Sequence, residues 1–126
     1  MPLLNSGVNA LVTLGVGSAF NAFDNANAYL GVGDSSAAFA VTQTDLQASV
    51  NKTYKAMDGG FPTLSAPAAT FEATFGMSDA NYAWNEWIVM NAAGGGTALN
   101  RKVESLGTKP NTQIWVLSVT LTFTTP

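Results

Sequence analysis

The chain has 126 residues, 47% of them hydrophobic and 10% charged, with a formal net charge of -3. That length fits one domain with a sizeable core, and the charged fraction is less than half of the roughly 25% usual in soluble domains. Five scattered cations (Lys52, Lys55, Arg101, Lys102, Lys109) cannot form a phosphate-tracking stripe, and the absence of His and Cys removes the commonest general base, thiolate nucleophile and transition-metal ligands.

From the N-terminus, Asn5 to Leu14 carries Val8, Leu11 and Val12 at helical spacing, with Asn5 or Ser6 as a cap and Gly15 as a stop. A short helix is expected there, weakened by Gly7 in its first turn. Phe20 and Phe23 follow in a polar stretch, where they either fold back on the domain or insert into a partner. We therefore expect an N-terminal arm over residues 1–25 and a β-domain over 26–126. Leu3, Leu4, Phe20 and Phe23 are the expected interface anchors of that arm.

Ala28 to Gly33 reads as a short strand ending at Asp34-Ser35-Ser36. Val41 to Ala48 opens a short helix with Thr42 or Thr44 as cap, and Lys52 to Met57 a strand after it. Ala69 to Gly76 alternates, with Phe71, Ala73 and Phe75 on one face and Thr70, Glu72 and Thr74 on the other. Tyr82 to Met90 is apolar on both faces, Trp84, Ile88 and Met90 against Ala83, Trp87 and Val89, which suits an inner strand. The glycine-rich run Asn91 to Gly96 turns into a hairpin arm from Thr97 to Val103. The last segment places Trp115, Leu117, Val119, Leu121 and Phe123 on a dry face, and Ser118, Thr120, Thr122 and Thr124 on a wet one. Six or seven such strands between Gly, Pro, Asn and Asp clusters imply an all-β fold, an antiparallel β-sandwich of jelly-roll or immunoglobulin-like type with a short N-terminal helix. The last strand, if it lies at an edge, can add a strand from a neighbour.

Gly31-Val32-Gly33 has two glycines of a dinucleotide fingerprint but lacks the third, and reads as a strand end. Asp24-Asn25-Ala26-Asn27 lacks the spaced carboxylates of a calcium loop. Asn51-Lys52-Thr53 matches a glycosylation acceptor without a secretory leader to give it meaning. No catalytic, cofactor or metal residue is assigned, and no enzymatic activity, cofactor, membrane or direct nucleic-acid partner is expected. Glu86, between two tryptophans on an inner strand, must be paired if buried. Its expected partner is Arg101 or Lys102 on the neighbouring hairpin arm.

Several phrases resemble a family of small tailed-bacteriophage structural proteins. They are Asn27-Ala28-Tyr29-Leu30-Gly31-Val32-Gly33-Asp34-Ser35, Thr42-Gln43-Thr44-Asp45-Leu46-Gln47, Phe71-Glu72-Ala73-Thr74-Phe75-Gly76, Ala83-Trp84-Asn85-Glu86-Trp87 running to Asn91-Ala92-Ala93, and Leu99-Asn100-Arg101-Lys102-Val103. The resemblance spans residues 26–124 and implies a virion location after assembly in the host cytoplasm. It implies a head decoration or minor capsid role, with the major capsid protein and further copies of the chain as partners in a homo-oligomer. A tail-associated or tail-fibre module binding a receptor carbohydrate is the alternative. Ile88 departs from the small residue such proteins carry after Trp84-Asn85-Glu86-Trp87, which leaves open whether that phrase faces the core or a partner.

Overall fold

A computed structural model describes residues 3–123. Helix α1 (Asn5–Gly15) precedes seven strands: β1 (Tyr29–Gly33), β2 (Lys52–Ala56), β3 (Thr63–Ser65), β4 (Ala68–Phe75), β5 (Ala83–Met90), β6 (Ala98–Thr108) and β7 (Trp115–Thr122). They form two antiparallel sheets, a four-stranded one in the order β2-β1-β5-β6 and a three-stranded one in the order β3-β4-β7. The fold is an all-β sandwich with one short N-terminal helix. Its four-plus-three division matches the immunoglobulin constant type, but the strand order does not, and the seven strands among the described residues do not make the eight of a jelly roll.

Alternation decides which side chains meet between the sheets. Phe71, Ala73 and Phe75 of β4 and Leu117, Val119 and Leu121 of β7 pack against Leu30, Val32, Trp87, Val89 and Leu99 of the larger sheet. Trp84 lies edge-on to Phe75 and to Trp115, at ring-centroid distances of 4.8 and 5.0 Å, and donates its indole N–H to Ala80 O at 2.9 Å. Burying an aromatic of this size needs that polar partner. Thr124, expected on the wet face of β7, lies outside the described residues.

The expected grouping on β5 is corrected by a bulge. The register shifts between Trp84 and Glu86, so Trp84 and Trp87, three residues apart, both enter the inter-sheet core. Glu86, Ile88 and Met90 face the other way.

That other face is also buried, in a second core of Leu4, Leu46, Ile88, Met90 and Ala98, flanked by Tyr29 and Tyr54. The segment between Gly33 and Lys52 covers it, contrary to the helix expected over Val41 to Ala48. The segment forms a turn, with Gln43 N donating to Ala40 O, and it leads the N–H groups of Gln47 and Ala48 into the sheet. Ile88 thus belongs to a core, with no exposure.

Helix α1 closes the outer side of β6, where Leu3 bridges Asn100 and Leu4 N donates to Leu99 O at 3.2 Å. Leu4 is its N-cap and no side chain caps it, so neither Asn5 nor Ser6 plays the expected role. Ser6 Oγ instead donates to Ala98 O at 2.7 Å. Gly7 is required by proximity, since a Cβ there would stand 1.9 Å from Leu99 O. The described part of the expected arm, residues 3–25, is therefore bound into the sandwich: Leu4 sits in the second core, and Leu3, Leu11 and Phe23 pack against the first.

Candidate functional site

The strongest polar constellation is built on β5 and β6. Glu86 and Arg101 have fully buried side chains, with Nε of Arg101 2.8 Å from Oε1 of Glu86. The same carboxylate accepts the N–H of Gln47 at 2.7 Å and of Ala48 at 2.9 Å. The rest of the guanidinium donates to Gln43 Oε1 and Ala37 O, each at 3.1 Å. Every polar contact of this pair beyond the sheet therefore reaches the covering segment. Gly33 makes room for it, because a Cβ there would lie 2.3 Å from Glu86 Oε2. A Cβ at Gly31 would lie 2.8 Å from Ile88 Cγ2 and 3.1 Å from Leu46 Cδ1. The two glycines that resemble a phosphate loop are spacers under a covering loop.

Lys102 is the expectation that fails. In a strand adjacent residues face opposite ways, so Lys102 points to the exposed side and pairs with Glu104 at 3.6 Å. Glu104 also accepts the Trp87 indole N–H at 3.0 Å. Farther along the covering segment, Asp45 accepts the Tyr54 hydroxyl and pairs with Lys52 at 3.8 Å. Burial first, then the Asp45 carboxylate, pushes the Tyr54 phenol above its ordinary range.

Sequence reasoning missed Lys109, which is buried to 1% exposure with Nζ 2.7 Å from Asn81 Oδ1. No periodicity flags a lone lysine after a strand. It holds the Met77–Asn81 turn, beside which Asp79 pairs with Lys55 at 3.0 Å and accepts Gly76 N. The Lys55 hydrogen bond, then that from Gly76, holds the Asp79 carboxyl below the usual range.

Among the described residues no group of three or more Asp or Glu converges as a metal site would require, and no helix is long and apolar enough to cross a membrane. Val8 and Val12 of α1 and its C-cap Val16 recur every four residues and are 45%, 60% and 74% exposed. Of the four expected anchors, Leu4 is fully buried and Leu3 and Phe23 are packed on the domain's own core. Phe20 alone of the four is exposed, at 36%. Compared with known protein families, curated proteins and solved structures, the chain matches none.

Proposed function

We propose that this chain is a non-enzymatic assembly subunit, a capsid decoration protein of a tailed phage that seats on a major capsid lattice. The observation that carries this is helix α1, eleven residues without a charge and apolar on two sides. One side, Gly7, Ala10 and Leu11, closes the edge of the domain. The other, Val8 and Val12 continued by the C-cap Val16, is left in water, where the fold gains nothing from it. Fully burying one exposed valine contributes at most about 1.5–3 kcal/mol, so three aligned, part-exposed valines offer an apolar contact surface that a partner can cover. The virion setting is drawn from the resemblance of the phrases in residues 26–124.

The tail-associated alternative draws less support, because none of the three Trp and three Tyr is exposed as a platform for a sugar ring. The test is a copy count from purified particles together with their reconstruction. Hundreds of copies on the shell are expected, and Val12→Asp should weaken binding about tenfold or more by burying a charge at the contact while leaving the melt unchanged. Absence of the chain from particles, or substrate turnover by the pure protein, would overturn the reading.

A further inference from the structure

We propose that β7 is a self-association edge: two copies join by antiparallel β7–β7 pairing with Val119 on the two-fold axis, making one six-stranded sheet from two three-stranded ones. This rests on the assembly reading and names a second copy of the chain as one of the partners.

The case begins with the edges of the two sheets. An open edge invites another strand unless it is short, interrupted by proline, guarded by charge or covered. β2 carries Lys52 and Lys55. β3 has three residues, between Pro62 and Pro67. β6 is covered over its first residues by Leu3, Leu4 and α1, and Lys102 and Glu104 stand on the remainder. β7 has eight residues, no charge and no proline, and pairs only with β4. It is the unguarded edge among the described residues.

The backbone of β7 shows which groups are free. Phe123 N donates to Pro67 O at 2.9 Å, toward the β4 side. Backbone groups alternate direction along a strand, so the odd-numbered residues bond β4. Val116, Ser118, Thr120 and Thr122 then point their N–H and C=O groups outward. The same four have exposed side chains, whereas Leu117, Val119 and Leu121 are buried.

Self-complementarity selects the second copy and its register. Opposed residues in an antiparallel pair share a face, so even must meet even. With Val119 opposite Val119, Val116 meets Thr122 and Ser118 meets Thr120 of the second copy. That register engages all four outward residues of each strand, while a shift by two in either direction leaves one without a partner inside the strand. It also sets Leu117 beside the second copy's Leu121, continuing the dry inner face across the junction. Like charges cannot oppose the pairing, since β7 has none.

The chain lacks cysteine, so engineered thiols report the register. Directly hydrogen-bonded partners have Cα atoms about 5.5 Å apart, within disulfide range, while diagonal neighbours at about 7–8 Å fall outside it. Ser118→Cys mixed with Thr120→Cys should cross-link under mild oxidation, and neither should cross-link alone. The sedimentation-average mass of the native chain should rise with concentration from 13.1 kDa toward twice that value. Val116→Lys with Ser118→Lys should hold it at the monomer with an unchanged melt. Cross-linking of Ser118→Cys alone would overturn the register, and a native chain that stays monomeric without mixed cross-links would overturn the pairing. Failure here with undiminished particle binding would sink the β7 edge alone. Intact dimers with no copies on particles would sink the coat reading alone.

Discussion

Replacing Arg101 with leucine removes the cation from a buried pair and leaves the Glu86 carboxylate inside the protein. Two backbone N–H groups still bond that carboxylate, but they are dipoles and do not neutralise it. Breaking a buried pair in this way costs about 3–5 kcal/mol, against a total stability of about 5–15 kcal/mol for a domain. A loss of that size in a chain of this length lowers the midpoint of thermal unfolding by about 10–20 °C. The exposed pair Lys102–Glu104, with side chains 47% and 41% exposed, provides the contrast, since Lys102→Ala should cost about 0–1 kcal/mol. The loss at Arg101 also has a location: Gln43 Oε1 and Ala37 O lose their donor, so the covering segment loosens before the sandwich unfolds. Urea unfolding gives the magnitude, and hydrogen exchange at the Gln47 and Ala48 amides gives the place. An Arg101→Leu protein that loses less than about 1 kcal/mol and keeps those amides protected would refute the assignment of this pair as the pin of the covering segment.

Gly7→Ala should destabilise by about 1–3 kcal/mol, although alanine favours a helix by about 1 kcal/mol, because the new Cβ meets Leu99 O at 1.9 Å; chemical denaturation reads the sign directly. Glu72→Gln should raise the melting temperature at neutral pH. Partial burial, then the adjacent Asp58 carboxyl, raises the Glu72 carboxyl above its usual range. An acid so raised stabilises the fold below its unfolded range and loses that contribution as pH climbs through the folded one. The advantage of the glutamine should therefore vanish on acidification, as scanning calorimetry across pH would show.

The strands that were legible are those whose two faces differ. β4 and β7 alternate strictly because one side meets the core and the other meets water, so the pattern in Phe71, Ala73, Phe75 and in Leu117, Val119, Leu121 could be read directly. β5 is buried on both sides and carries a bulge, and either fact alone erases period-two patterning. The covering segment defeats local rules for another reason. Its Thr-rich start resembles a helix cap, yet the N–H groups of Gln47 and Ala48 bind a carboxylate 39 and 38 positions away in sequence, respectively. A pairing requirement at Glu86 was visible as chemistry, and the choice of Arg101 over Lys102 followed only from which face each residue takes. Leu4 is buried and not an anchor, because an apolar residue before a helix fits a buried bridge to β6 as readily as a docking site.

The distribution of the few charges bears on how this surface can associate. Arg101 and Lys109 are buried, and Lys52, Lys55 and Lys102 each face a carboxylate within 4.0 Å. All five cations of the chain are thus spent on its own structure, and among the described residues Asp24, Asp34, Asp58 and Glu72 have no cation within 4.0 Å, so the exterior is mildly acidic with no basic patch. Steering by long-range fields, which needs clustered charge and fades within about 8 Å at physiological ionic strength, has little to act on. Contact must then be made by apolar area and backbone hydrogen bonds, the two things that the valine stripe of α1 and the edge of β7 offer. Both should bind with little dependence on salt. They lie on different elements, so a subunit can hold a lattice by one and a neighbouring copy by the other.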